Sequence, residues 1–289
     1  MTIREALQHA TQTLTRARLR APRADAEFIL TSLLSCNRAH LLAHPGRPLD
    51  ENQLDLFQQW LRRRQDHYPL QYLKGKQEFY GRDFEVSPQV LIPRPETELL
   101  VETALDRLAS LSQPTLRVVE VGLGSGCLGE TLVLEDSRVV LTGIDISAPA
   151  LAVARRNAFR LGALQRLRLL ACDGLSALAP APVFDLLVSN PPYGALQQSH
   201  LVDEGVRRYE PRQAVFGGRT GLDVYEKIFS RADSILKPAA CILVEMGKDQ
   251  HKPVLDLARR HGWRAGRVLP DLAGIDRVAE FQREDGGRE

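Results

Sequence analysis

A chain of 289 residues with 44% apolar and 26% charged side chains has the length of about two domains. Its composition excludes a disordered, collagen-like or coiled-coil chain. No run reaches the ~18–20 uncharged apolar residues of a membrane span, and no apolar stretch follows Met1-Thr2-Ile3-Arg4-Glu5, so neither a span nor a signal peptide is expected. The net charge of +2 predicts no nucleic-acid partner, yet it is unevenly spread. Residues 1–75 hold 11 Lys/Arg against 7 Asp/Glu, a net of +4, whereas residues 76–289 hold 27 against 29, a net of −2.

The first third reads helical. Ile3, Leu7 and Leu14, then Phe28, Ile29, Leu33 and Leu34, then Leu54, Phe57, Trp60 and Leu61 recur at helical spacing. Pro22 and Pro45 punctuate these stretches. Asp50 suits the N-cap of the third, and Arg62, Arg63 and Arg64 lie near its end, where positive charge offsets the macrodipole. A small helical bundle over residues 1–75 is expected as the first domain. Residues 76–92 read as a linker in which Glu78–Val86 forms a hairpin around Gly81. A helix is expected to begin near Pro95, with acidic residues in its first turn.

From residue 116 short apolar runs alternate with helical stretches. The runs are Leu116–Val121, Val139–Ile144, Leu167–Ala171, Phe184–Ser189 and Cys241–Met246; the helices fall near 127–135, 148–161, 222–236 and 249–261. This alternation predicts an α/β domain over residues 93–289 with a mostly parallel sheet covered on both faces. Trp263–Leu269 and Val278–Arg283 predict a late antiparallel hairpin at the sheet edge. The long segment 194–220, rich in glycine and charge, is a candidate lid.

Cys36, Cys127, Cys172 and Cys241 are widely and irregularly spaced. That fits neither a zinc site nor a disulfide framework; they read as reduced, mostly buried thiols of a cytoplasmic chain. His40 and His44 form the only close His pair and lack neighbouring ligands, so no metal is expected.

The first strand of the α/β region runs into Glu120-Val121-Gly122-Leu123-Gly124-Ser125-Gly126. Glycines at a strand-to-helix turn let backbone approach a ligand closely. A dinucleotide fingerprint requires G-x-G-x-x-G. Here the third glycine comes one residue early, and Cys127 holds the dinucleotide position. G-x-G-x-G after an acidic residue is the pattern of S-adenosylmethionine (SAM) binders, which carry no pyrophosphate, and a nicotinamide oxidoreductase is disfavoured on this spacing. Glu120 is placed to help hold the ammonium group of that cofactor through water or backbone. Asp145, at the tip of the second strand and 19 residues past Gly126, is placed to accept from ribose hydroxyls. Asp173, after the third strand, is placed to accept from the adenine amino group, with Gly174 leaving room for the ring.

The fourth strand ends in Asn190-Pro191-Pro192-Tyr193. Ligands of open α/β sheets bind beyond the carboxyl ends of the strands, at the switch point, so this tetrapeptide is expected to face the glycine loop. Its residue types suit one task. An amide or aromatic amino nitrogen is planar and a poor nucleophile, and two acceptors can grip its two N–H groups. Asn190 offers a side-chain carbonyl, and Pro191 offers a backbone carbonyl held by the ring of Pro192. Fixing both hydrogens aims the lone pair and stabilises charge growing on nitrogen. Tyr193 can wall the site and favour a sulfonium through its ring face.

With these residues in place the chain resembles the HemK/PrmC family of protein-(glutamine-N5) methyltransferases, which modify peptide chain release factors. The resemblance spans most of the chain. Its pieces are Phe84-Glu85-Val86-Ser87-Pro88, Leu91-Ile92-Pro93-Arg94-Pro95-Glu96-Thr97-Glu98, Gly122–Gly126, Asn190–Tyr193, Tyr209-Glu210-Pro211, Phe216-Gly217-Gly218, Gly221-Leu222-Asp223 and Asp271-Leu272-Ala273-Gly274. It implies a Rossmann-like SAM-dependent methyltransferase sheet preceded by a helical domain that docks the release factor. It also implies SAM as methyl donor, S-adenosylhomocysteine as product, and the glutamine of a Gly-Gly-Gln motif as acceptor. Asn190, Pro191, Pro192 and Tyr193 are the implied glutamine site; Gly122–Gly126, Asp145, Gly174 and Asn190 are the implied cofactor site. A cytoplasmic monomer is expected, with a release factor as partner and neither nucleic acid nor membrane.

Three departures stand out. Glu120 replaces a more usual Asp, Gly129 replaces a small helix residue such as Ala, and Arg219-Thr220 replaces a commonly acidic pair. Two alternatives remain: a glutamine methyltransferase of a ribosomal protein, which uses the same tetrapeptide, and an N6-adenine nucleic-acid methyltransferase, which grips an aromatic amino group similarly. The first usually lacks the Pro-Glu-Thr-Glu run, and the second needs a phosphate-binding surface that a net of −2 does not supply. A non-catalytic SAM-binding scaffold is disfavoured by the intact tetrapeptide. The +4 end reads either as a docking surface for an acidic partner or as a solvated face.

Overall fold

A computed structural model describes residues 1–283. The chain forms two compact units, Met1–Gly75 with Asp203–Tyr209, and Lys76–Val202 with Glu210 onward.

The first unit holds α1 (Ile3–Arg16), α2 (Pro22–Leu33), α3 (Arg38–Ala43), α4 (Glu51–Gln65) and α5 (Leu70–Lys74). Two capping boxes start its longer helices. Thr2 pairs with Glu5 before α1, and Asp50 pairs with Gln53 before α4, satisfying backbone donors that a helix start leaves open. Ile3, Ala6, Ala10 and Leu14 form one buried stripe of α1, packed with Ile29, Leu30, Phe57 and Leu61. Pro22 opens α2 as its first residue, where its missing N–H costs nothing. Of the three arginines ending α4, Arg64 turns inward: its Nε donates to Asp25 at 2.8 Å, and a terminal nitrogen reaches the Tyr68 carbonyl at 3.2 Å. Only Arg62 and Arg63 of that triplet are exposed.

The second unit opens with β1 (Lys76–Phe79) and β2 (Arg82–Glu85), joined by Tyr80 and Gly81 at φ 51° and 72°. Two successive left-handed residues make the primed turn that matches strand twist. Next come α6 (Thr97–Ala109), β3 (Leu116–Val121), α7 (Cys127–Glu135), β4 (Val139–Asp145), α8 (Ala148–Leu161), β5 (Leu167–Ala171) and β6 (Phe184–Ser189). After the short α9 (Glu204–Tyr209), which belongs to the first unit, come α10 (Arg212–Val215), α11 (Asp223–Arg231), β7 (Leu236–Glu245), α12 (His251–Arg260), β8 (Trp263–Pro270) and β9 (Asp276–Arg283). The helix expected from Pro95 begins at Thr97, because residues 94–98 form tight turns in which Thr97 N–H donates to the Arg94 carbonyl and Glu98 N–H to that of Pro95.

The seven-stranded sheet has the order β5-β4-β3-β6-β7-β9-β8. The first five are parallel, and β9 and β8 form the antiparallel edge hairpin. Alternate residues of the central strands face opposite layers. Val118, Leu186, Val188 and Leu243 pack with α6, α7 and α8, whereas Val119, Leu187, Ile242 and Val244 pack with α11 and α12. Burial on both faces explains why these strands read as continuous apolar runs. The chain winds from β3 through β4 to β5, then crosses back to lay β6 on the other side of β3. That reversal opens a crevice at the carboxyl ends of β3 and β6. No described helix is long and apolar enough to cross a membrane.

Candidate active site

The loop after β3 is built for close approach. Gly122, Gly124 and Gly126 have φ of 80°, 57° and 85°, a region that side-chain-bearing residues avoid. The N–H groups of Gly122 and Leu123 both donate to the Ile144 carbonyl at 2.9 Å, tying the loop to the end of β4. Asp145, the last residue of β4, completes the tie: its two carboxylate oxygens accept from the N–H groups of Gly124 and Ser147, each at 2.8 Å. Burial raises the Asp145 carboxyl above its ordinary range, and these two donors pull it back. Asn157 of α8 supports the loop from behind. Its side-chain nitrogen donates to the Ser125 and Glu85 carbonyls at 3.0 Å each, and its oxygen accepts from Glu85 N–H at 2.7 Å.

A cavity of about 280 Å³ lies against this loop. Glu120, Gly122, Leu123, Gly124, Ser125, Asp145, Asp173, Gly174 and Asn190 all line it, as do Cys127, Cys172 and Pro192. Gly126 stands just behind the lining, as do Pro191, which is buried, and Tyr193, which packs into the apolar layer with α11 and α12. Asp173 is held by an ion pair, Lys227 Nζ lying 2.8 and 2.7 Å from its two oxygens. Of the four cysteines only Cys241 is buried; the other three are half-buried. Among the described residues no group of three or more His, Cys, Asp or Glu gathers as a metal site requires.

Glu120 is 2% exposed and its Oε2 has no hydrogen-bond partner among the described residues; both oxygens of Glu130, 0% exposed, are likewise unpartnered. Burial pushes both carboxyls well above the ordinary glutamate range; the nearby Asp145 adds to the shift on Glu120, and Glu120 adds to that on Glu130. An unpaired buried acceptor is costly. Glu120 lines the cavity while its unpartnered Oε2 lies on the Gly129 side, so it fits the amino-acid end of SAM as a buried carboxyl beside the loop, acting through backbone or water.

Two departures noted in the sequence compensate one another. A Cβ on Gly129 would lie 2.2 Å from Glu120 Oε2 and 2.5 Å from a methyl of Leu141. The glutamate is one methylene longer than an aspartate, and the missing Cβ makes its room. Gly129→Ala is therefore expected to destabilise by about 1–3 kcal/mol of overpacking, against ~1 kcal/mol that alanine gains in helix propensity. Denaturant unfolding checks the sign. Adding Glu120→Asp should recover part of the loss; a plain gain in stability from the single variant would show that propensity wins.

The tetrapeptide after β6 is held from several directions. Ser189 Oγ donates to the Val121 carbonyl at 2.7 Å, locking β6 to the end of β3. Asn190 Nδ2 donates to Thr97 Oγ at 2.9 Å, and Thr97 Oγ donates to Glu245 Oε2 at 2.6 Å. The Tyr193 carbonyl accepts from Gln250 Nε2 at 2.8 Å. Burial, then the nearby Glu245, raises the Tyr193 phenol to about 12, so it stays neutral at physiological pH. The segment expected as a lid is pinned. Gly194 and Phe216 form a bridge, and Gly217 packs so closely that a Cβ there would lie on the Pro192 carbonyl. Glu210, 5% exposed, accepts from Ile92 N–H at 3.1 Å and from Arg94 at 2.6 Å. Residues 203–209 are anchored in the helical unit, where the Tyr209 hydroxyl donates to Asp66 at 2.5 Å and Arg208 pairs with the same carboxylate at 2.9 Å.

Sequence reasoning missed Thr97, Asn157, Glu210 and Glu245. Glu245 carried a signal, a charge ending an otherwise apolar strand. Thr97 and Glu210 lay inside quoted runs, but nothing local names their partners.

Comparison with known proteins places the chain. The sequence family described as "PrmC N-terminal domain" matches residues 5–75, and that described as "Methyltransferase small domain" matches residues 95–207. The fold is shared with a methyltransferase from Pyrococcus furiosus, at a TM-score of 0.51 and 16% identity over 71% of this chain and 90% of that one. A release factor glutamine methyltransferase of Nitratidesulfovibrio vulgaris is 40% identical over 98% of this chain and 95% of its own. One of Koribacter versatilis is 41% identical over 96% of this chain and 97% of its own. Likeness of that extent, over both units, means that this chain belongs to the release factor glutamine methyltransferase family.

Proposed function

We propose that this chain transfers a methyl group from SAM to the side-chain amide nitrogen of the glutamine in the Gly-Gly-Gln motif of a peptide chain release factor. The observation that carries this reading is the Asn190 amide. Its NH2 group is taken by Thr97, which leaves its carbonyl as an acceptor on a residue that lines the cavity beside the glycine loop. The names of the relatives support a release factor over a ribosomal protein or a nucleic acid as acceptor.

Bound SAM supplies the electrophile, a methyl group on a sulfonium. Gly122–Gly126 bring backbone close to it, and Glu120 helps hold the ammonium group through water or backbone. Asp145 keeps lone pairs beyond those used by Gly124 and Ser147 for a ribose diol. Asp173 shares its carboxylate between Lys227 and the adenine amino group, with Gly174 beside the ring. Asn190 and the Pro191 carbonyl each accept one N–H of the glutamine amide, and Pro192 holds Pro191 extended. This grip turns the nitrogen lone pair toward the methyl carbon and stabilises positive charge as it grows there. Tyr193, a neutral phenol packed into the apolar layer behind the cavity lining, backs the site instead of walling it as expected, and does not act as a base. The proton leaves after transfer, so no strong base or metal enters. The helical unit, net +4 over residues 1–75, docks the release factor, with Arg62 and Arg63 on its outside and Arg64 serving the fold. The chain is read as a monomer working in the cytoplasm.

The test incubates the protein with SAM and a purified release factor, with a ribosomal protein and duplex DNA as parallel acceptors. Mass spectrometry is expected to show one added methyl, on the Gly-Gly-Gln glutamine alone. A methyl on any other residue or acceptor, or none, overturns the reading.

A further inference from the structure

Thr97 opens α6 and Glu245 closes β7, 148 positions apart in the chain. Neither belongs to the glycine loop or the tetrapeptide, yet they are 2% and 1% exposed and stand in line behind Asn190. A threonine hydroxyl has one proton to give. Here it goes to Glu245 Oε2 at 2.6 Å, so Thr97 can only accept from Asn190, and the 2.9 Å contact must be made by Nδ2. The carboxylate thereby decides, through one hydroxyl, which end of the Asn190 amide is left for a ligand. Asn190 Oδ1 has no protein partner among the described residues.

We propose that Thr97 and Glu245 are positioning residues for methyl transfer, forming a relay that keeps the Asn190 carbonyl, not its NH2 group, turned to the substrate amide. The proposal rests on the reading that Asn190 receives an N–H of the glutamine. An asparagine amide is nearly symmetric in shape, and a half-turn would set N–H against N–H. Neither relay residue touches the reacting atoms; both act through Asn190.

The surroundings of Glu245 make the relay sensitive to pH. Burial raises this carboxyl to about 7; the Thr97 hydroxyl, Arg277 and Arg94 pull it down, and Glu96 pushes it up. Tyr193, Tyr225 and the Cys127 thiol also face it, the Tyr225 hydroxyl donating to the Glu245 backbone carbonyl at 2.7 Å. Below about 7 the carboxyl carries its own proton and can donate to Thr97, which is then free to donate to Asn190 Oδ1. The acceptor is lost in that state, so turnover should rise as pH increases through about 7.

The test measures kcat, KM for the whole release factor, SAM affinity by calorimetry, and melting temperature. Thr97→Val is expected to lower kcat about ten-fold or more with SAM affinity kept, since it removes an interaction used only in aligning the transition state. Thr97→Ser, which keeps the hydroxyl, should rescue most of the rate. Glu245→Gln should lower kcat and flatten its rise with pH. Thr97→Val combined with Glu245→Gln should cost no more than the worse single variant, as expected of two links in one chain. A wild-type kcat in folded Thr97→Val, or fully additive losses in the double variant, overturns the relay. If a glutamate variant fails to fold, the wild-type pH profile and the Thr97 pair decide. Asn190→Ala separates this proposal from its premise: retained turnover there removes the premise, whereas its loss beside an unimpaired Thr97→Val removes the relay alone.

Discussion

Asn190→Ala is expected to lower kcat by about 10²–10³-fold, the cost of removing one preorganised group from a site where charge develops. In the proposed mechanism the side chain supplies one of two acceptors for the substrate amide, and neither Thr97 nor Tyr193 can stand in. Thr97 is already committed to Glu245, and the phenol of Tyr193 is a neutral group packed into the apolar layer. SAM affinity should change little, because the glycine loop is held by Ile144, Asp145 and Asn157 rather than by Asn190. Single-turnover kinetics with saturating SAM checks the first statement and calorimetry the second. Comparable turnover in the variant would remove Asn190 from the mechanism.

For Asp145→Ala the expected loss lies in binding. The carboxylate orders the loop through Gly124 and Ser147, and in the proposed mechanism it also accepts from a ribose. Charge-assisted hydrogen bonds are about twice as strong as neutral ones, and a net of ~1.5–3 kcal/mol corresponds to roughly a 10–100-fold weaker dissociation constant. Asp145→Asn should fall between. One amide oxygen can still accept from Ser147, but its NH2 group meets the N–H of Gly124. Titration calorimetry with SAM reads both, and an unchanged constant for the alanine variant would end the assignment.

Much of this protein was legible in the order of its residues. Asp50 caps α4, Tyr80-Gly81 turns the hairpin, and the apolar runs from residue 116 became strands because a strand buried on both faces needs little else. The placement of Asn190 beside the glycine loop followed from the winding rule of parallel sheets. Less legible was anything that depended on two distant segments meeting. The helix expected at Pro95 starts at Thr97 because two turns intervene. The lid expected over residues 194–220 is anchored by Glu210, whose partners Ile92 and Arg94 lie more than a hundred residues earlier. Arg64 reads like Arg62 and Arg63 in the sequence, but only Arg64 faces a carboxylate.

The sequence by itself determined the chemistry on offer: a glycine loop with positive φ, an aspartate at the tip of the next strand, and an amide followed by two prolines. These are local properties, set by steric limits on φ and by short spacing along one strand end. Only the tertiary structure decided how that chemistry is held. Sheet register brings Glu245 up to Thr97 and Thr97 up to Asn190, and it brings α7 so near β3 that Gly129 must lack a Cβ beside Glu120. Such pairings depend on which strand ends meet, and neither partner's own neighbours in the chain carry that information.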